Sequence, residues 1–284
     1  MPLMPLRRLL TDATENDYAV GAFNVANMEM IMGAIRAAEE LHAPVILQIA
    51  EVRLGPSPLE LIGPSMIAAA QKSAVPVAVN FDHGITRERI RQALTIGFNA
   101  VMIDGSALPL AENIRVTNEI RALAAPYGAA VEAEIGAVGR RGDTSFEYTD
   151  VEQAAQFYNA THVDALAVAI GNAHGVYQCT PKLNFGVLEA IHRKLPVPLV
   201  LHGGSGLSTL DFQTCIAGGM RKINVATATF AAVEAHVSRL YPSGQPEDYF
   251  RLHQAEIDGA CENVKRHIRI FKSKNRAAGI LNAQ

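Results

Sequence analysis

The sequence predicts an α/β protein: a (β/α)8 TIM barrel, one domain over residues 1–284, with a helical C-terminal extension. Three observations predict it. Short apolar runs recur along the chain, separated by amphipathic stretches of helical length. Those runs are continuously rich in Val, Ile, Ala and Phe and show no clean polar alternation, as in a parallel sheet covered on both faces. The repeat also continues without a break in the middle, which favours a closed barrel over an open doubly wound sheet.

The eight expected strands are 18–23, 44–50, 75–81, 100–103, 130–135, 165–170, 198–201 and 222–225. Amphipathic helices are expected at 28–41, 87–95, 111–125, 150–160 and 183–194, several ending at a Gly or X-Pro turn before the next strand. From Ala228 onward the chain reads as helical. Pro242, Gly244 and Pro246 within 241–247 split that segment in two.

Composition narrows the function. A chain with 49% hydrophobic and 19% charged residues has ample material for a large core. A net charge of −3 leaves no general basic field, so no nucleic-acid partner is expected. The basic cluster Lys265, Arg266, Arg269, Lys272, Lys274 and Arg276 reads as a solvated helix face. Cys179, Cys215 and Cys261 lack metal-type spacing and suit a reducing cytosol. No segment resembles a signal peptide or reaches about 20 apolar residues, so the expectation is a cytoplasmic protein with no membrane partner.

Polar residues gather where the expected strands end. Asp82-His83-Gly84 closes the third, Asp104-Gly105-Ser106 the fourth, and Glu132 and Glu134 lie within the fifth. Residues 171–175 (GNAHG), 202–206 (HGGSG) and 224–227 (NVAT) follow the sixth, seventh and eighth. In a barrel all strand C-termini open on one face, where active sites form. His83, His174 and His202 would meet on that rim, and three histidines with an open position make a catalytic zinc site. The other six histidines lie in or beside helical stretches and read as structural. Asp82 and His83, as strand neighbours, would face opposite sides, one toward metal and one toward substrate. The glycine-rich loops after the seventh and eighth strands are where barrels bind phosphate.

These motifs resemble the class II fructose- and tagatose-bisphosphate aldolases. The likeness is carried by NFDHG (80–84), VEAEIG (131–136), AVAIGNAHGVY (167–177), LHGGSGL (201–207) and KINVAT (222–227), and runs from about residue 5 to about residue 275. NVAT leans toward the tagatose type. The resemblance implies zinc on His83, His174 and His202, and Asp82 as the acid/base at the C4 hydroxyl. It implies a dihydroxyacetone phosphate site lined by Gly175, Gly203, Ser205, Asn224 and Thr227, with Asn24 on the substrate. It implies a monovalent cation (Na+ or K+) near that phosphate. Asp104 and Glu134 match acidic positions that serve an alternative metal site or orient ligands. A homodimer or homotetramer acting on a small-molecule sugar phosphate is implied. Zinc as a Lewis acid would stabilise the enediolate left by carbon–carbon cleavage, so no lysine Schiff base is needed. Lys222 is expected at the start of the eighth strand, far from the site.

The loop 137–148 (AVGRRGDTSFEY) lacks the Gly-Gly-x-Glu-type run of many family members. Asp143 and Glu147 are its candidate acids, while Arg140 and Arg141 could face an anionic substrate or solvent. Ala50 stands where relatives often carry a hydroxyl. Two other readings are a metal-dependent epimerase or hydrolase of sugar phosphates, and a non-catalytic sugar-phosphate-binding protein.

Overall fold

A computed structural model describes residues 2–136, 138–139, 148–175, 182–240 and 248–282. The parallel strands β1 (Val20–Asn24), β2 (Val45–Ala50), β3 (Val77–Gly84), β4 (Ala100–Ile103), β5 (Ala130–Ile135), β6 (Ala165–Val168), β7 (Leu199–Leu201) and β8 (Met220–Val225) form a closed barrel in sequence order. The helices that cover it are α1 (Leu6–Glu15), α2 (Met28–Glu40), α3 (Leu59–Lys72), α4 (Arg87–Ile96), α5 (Leu110–Ala124), α6 (Val151–Thr161), α7 (Phe185–Lys194), α8 (Thr209–Ala217), α9 (Thr227–Leu240), α10 (Tyr249–Ile270) and α11 (Ala277–Asn282). Among the described residues no helix is long and apolar enough to cross a membrane.

The expected strands hold, with shifted ends. The largest shift is in β3, which continues through Asp82-His83-Gly84 with a register shift between Phe81 and Gly84. Three helices lie outside the stretches delimited from the sequence. α3 carries Pro64 in its first two turns, α1 precedes the first strand, and α8 is short. The last of these begins with a capping box, Ser208 with Asp211, that marks its start in the sequence. The C-terminal extension contains three helices rather than two, because Phe271–Asn275 is not helical before α11; residues 241–247 lie outside the described residues.

The inward-facing positions explain both the core and the site. Read upward, β1 places Ala22 then Asn24 inside, β2 Ile46 then Gln48, and β3 Ala78, Asn80 and Asp82. β5 places Ala130, Glu132 and Glu134, β7 Val200, and β8 Lys222 and Asn224. The lower layer is small and apolar and forms one buried cluster with Leu6, Leu9, Leu10 and Ala13 of α1, which plugs the bottom. The upper layer is polar. The expectation of unalternating strands therefore fails in their upper halves, where polar residues recur every second position on the inward face. A second, larger apolar cluster fills the space between the sheet and the helices.

α10 packs across α2 and α9. A Cβ on Gly33 would sit 2.6 Å from the Ile257 carbonyl oxygen, so α2 and α10 meet at backbone distance.

Candidate active site

The polar layer is a connected network that leaves Asn80 Oδ1, Glu132 Oε2 and Glu134 Oε2 without a hydrogen-bond donor among the described residues. Asp82 is buried and accepts from the amides of Asn24 (3.0 Å) and Asn224 (3.2 Å). Behind Asn24, Gln48 donates to its oxygen at 2.8 Å, and Asn80 donates to Gln48 at 3.3 Å. Asn24 and Asn224 donate to the carboxylate itself, while Asn80 and Gln48 form a relay of amides behind Asn24. Burial alone would raise the Asp82 pKa, but the electrostatic pull of His83, Lys222 and His202 and the Asn24 bond hold it below its ordinary value. Asp82 is therefore a desolvated, fixed anion.

The three rim histidines converge. Their ring centroids lie 4.7 Å (His83–His202), 5.0 Å (His83–His174) and 5.9 Å (His174–His202) apart. One nitrogen from each falls within 4.8 Å of the others, close enough to share a metal ion. His83, Asp104 and Glu134 form a second group with the same property. His83 Nδ1 lies 3.0 Å from Asp104, which also accepts from the Ser106 hydroxyl and backbone N–H. His202 Nε2 lies 2.8 Å from Glu132, with both side chains fully buried. Each carboxylate takes one ring N–H, which aims the other nitrogen inward. Those inward atoms, His83 Nε2 and His202 Nδ1, are 3.0 Å apart. Two lone pairs cannot face each other at that distance, so a proton or a metal cation belongs between them.

The electrostatics agree. Burial would lower the His83 pKa, yet Asp82, Asp104 and Glu134 raise it to about 9, so without metal the bridging proton rides on His83. His174 is lowered to about 3 by burial and by its histidine neighbours, so its lone pair is free for a ligand. Glu134 is pushed up by burial, and its Oε2 has no hydrogen-bond donor, 3.3 Å from His202 Nδ1. Carboxylate-backed imidazoles and an orphaned carboxylate oxygen fit a divalent cation.

Asp82 and His83 do not face opposite sides. His83 has φ +43, in the left-handed region, and β3 shifts register there. This breaks the alternation and brings both side chains to the mouth, at a conformational cost that functional sites tend to carry.

The phosphate-type loops also assemble. Ser205 accepts from the Ala228 N–H at 3.1 Å, tying the β7 loop to the first turn of α9, where Thr227 begins the helix. Gly203 has φ +64, and a Cβ there would lie 2.2 Å from the Ala173 carbonyl oxygen, so the loops carrying His174 and His202 touch backbone to backbone. Gly175 follows His174 on the facing loop, also at positive φ (+92). Asp143, Glu147, Arg140 and Arg141 lie outside the described residues.

Two residues have a place that sequence reasoning did not assign. Glu132 was read only as one of the rim acids; it backs His202 from within the barrel. Lys222 was expected at the far end of its strand. Instead β8 starts two residues earlier, and the fully buried Lys222 ammonium reaches up to Glu132 (2.8 Å) and Asn224 (2.6 Å). The polar every-second-residue pattern of β5 and β8 was the available signal.

A family model, Fructose-bisphosphate aldolase class-II, matches residues 4–276. The chain is 40% identical to YdjI of Escherichia coli K12, covering 97% of this chain and 99% of the relative. The crystal structure of that YdjI aldolase superimposes with a TM-score of 0.88, covering 96% of this chain and 98% of the other. The 6-phospho-5-dehydro-2-deoxy-D-gluconate aldolase of Halalkalibacterium halodurans is 37% identical over 98% of this chain and 99% of its own. The fructose-bisphosphate aldolase of Staphylococcus epidermidis is 36% identical over 98% of this chain and 100% of its own. With a matching family model over nearly its whole length and relatives of this similarity, the chain belongs to the class II fructose-bisphosphate aldolase family and is a lyase.

Proposed function

We infer that the protein is a zinc-dependent aldolase that cleaves a ketose phosphate or bisphosphate, of the tagatose or fructose 1,6-bisphosphate type, into dihydroxyacetone phosphate and an aldehyde. The observation that carries this is the pair of inward nitrogens on His83 and His202, backed by Asp104 and Glu132 and set beside the desolvated carboxylate of Asp82.

His83, His174 and His202 would hold the ion, with Asp104 and Glu134 offering a second seat beside His83. A zinc ion there supplies Lewis acidity at the ketose carbonyl and a sink for the negative charge left by carbon–carbon cleavage. Asp82 takes the C4 hydroxyl proton. Its carboxylate is already ionised and held by two amides, so it needs no rearrangement to accept. Asn24 and Asn224 orient it and line the substrate. The phosphate sits against Gly175, Gly203, Ser205 and Thr227, where the backbone N–H groups opening α9 favour an anion. A sodium or potassium ion beside that phosphate, a homodimer or homotetramer, and a cytoplasmic setting belong to the same reading. So does the C1 proton donor in the loop, Asp143 or Glu147.

The test is triose phosphate release by the zinc-loaded protein from a panel. The panel holds tagatose and fructose 1,6-bisphosphates, ketose 1-phosphates with unphosphorylated tails, and 6-phospho-5-dehydro-2-deoxy-D-gluconate, the substrate named for one relative. Release from one member, lost on chelation, is the expected result. A metal-free protein with full activity would overturn the reading.

A further inference from the structure

We propose that Lys222 is a positioning residue that sets the metal-facing nitrogen of His202 and the proton-accepting carboxylate of Asp82 at the same time. The proposal rests on the metal-dependent reading above. It starts from a cation that the barrel wholly buries, an arrangement chains avoid unless the charge has specific partners.

Charge compensation alone explains only half of its contacts. Lys222 Nζ lies 2.8 Å from Glu132 Oε2, and the other oxygen of Glu132 lies 2.8 Å from His202 Nε2. The ion pair draws one oxygen toward the ammonium without hydrogen-bond geometry, and the charge attraction sets the side from which the carboxylate is held. The second oxygen then takes the His202 N–H, which leaves the Nδ1 lone pair facing His83.

The same ammonium donates to Asn224 Oδ1 at 2.6 Å. An amide has two unlike ends, an acceptor and a donor. With its oxygen held by Lys222, Asn224 must turn its N–H2 toward Asp82, which it meets at 3.2 Å. Flipped, the amide would put its oxygen against a carboxylate. Lys222 thus chooses the flip of Asn224 and, through Glu132, the tautomer of His202. Its side chain reaches the two halves of the site along separate one-residue relays.

The experiment uses Lys222→Met in the full chain, with Co2+ as the probe. Chelator competition and the visible Co2+ spectrum report metal binding, and triose phosphate release at saturating metal reports chemistry. Co2+ affinity is expected to fall about 10–100-fold, the usual effect of removing support behind a ligand. kcat is expected to fall about 100-fold, as for an ångström-scale misplacement, with KM within about threefold. The pair Glu132→Gln/Lys222→Met buries no net charge and guards against misfolding of the single variant. Its metal loss should not exceed that of Lys222→Met, while its kcat loss should persist through Asn224. A folded Lys222→Met with wild-type affinity, spectrum and kcat would overturn the proposal. So would a loss in only one of the two readouts, because one ammonium is proposed to set both. A wild-type protein that binds no Co2+ sinks the metal reading itself, which is a different failure.

Discussion

Gly203→Ala tests the close approach of the two histidine-bearing loops. Gly203 sits at φ +64, where a residue with a Cβ pays roughly 1–2 kcal/mol. Its Cβ would lie 2.2 Å from Ala173 O, 2.4 Å from Ala173 C and 3.0 Å from His174 N. Real Cβ atoms essentially never come nearer than 3.0 Å, so the loops must part by about 0.8 Å. His202 precedes the substituted residue and His174 follows the displaced carbonyl, so the shift acts directly on the spacing of two of the three imidazoles. Strain and displacement together should cost about 2–4 kcal/mol, or a melting temperature lowered by roughly 5–10 °C. Co2+ affinity should fall at least about tenfold, and turnover at saturating metal about 100-fold. Thermal melts with and without metal, paired with chelator competition, measure both. A variant that melts like the wild type and binds Co2+ within about twofold of it would refute the claim that these loops are held at backbone contact.

Asp82→Ala should lower turnover by about 10²–10⁴-fold while Co2+ still binds; a variant with wild-type turnover would remove Asp82 from proton transfer. Metal uptake should depend on pH through His83, whose pKa stands at about 9. Below that value the ion must displace a proton, so apparent Co2+ affinity should climb by up to about tenfold per pH unit toward pH 9 and then level, as chelator competition across pH 6–10 would show. In the metal-free protein the same raised pKa stabilises the fold fully below about 6.5, and that contribution is lost as pH rises through about 9. His267 has the opposite sign. Buried among Phe23, Phe212 and Phe271, it is lowered to about 4 by burial, which outweighs its bond to the Asn263 carbonyl. Its ring is neutral in both states above about 6.5, and stability should fall by up to about 3 kcal/mol as pH drops from there through 4. Denaturant melts of chelated protein should show a shallower pH slope for His267→Gln; equal slopes would refute this.

Much of the barrel was legible because strands of a parallel sheet covered on both faces are largely apolar, and runs such as 100–103 and 165–168 are wholly so. The rim histidines were legible because strand ends are fixed points in a barrel. What escaped were features set by three-dimensional placement. The geometry of Asp82-His83 depends on one left-handed residue that no spacing rule announces. Lys222 was misplaced because its backbone lies low in the strand while its long side chain extends upward to Glu132 and Asn224. α3 lies in a stretch that the sequence leaves unassigned; it keeps Pro64 at its sixth position, where the missing N–H removes a bond to the Glu60 carbonyl. The loops proposed to hold phosphate were legible only as glycine-rich turns, and the contact through Ser205 that joins the β7 loop to α9 appears only in the structure.

The closure of the barrel also constrains how the chain is made. β1 completes its pairing with β8, so Val20 meets Lys222 about 200 positions later, and α10, later still, packs on α2. During synthesis the first strand can pair with β2 on one side only. Its other edge stays open until the last strand has emerged, and an open edge is a template for pairing between chains. A ribosome pause before β8 would therefore expose the same edge that the finished barrel hides, and nascent chains crowded on one message would be most at risk of joining there.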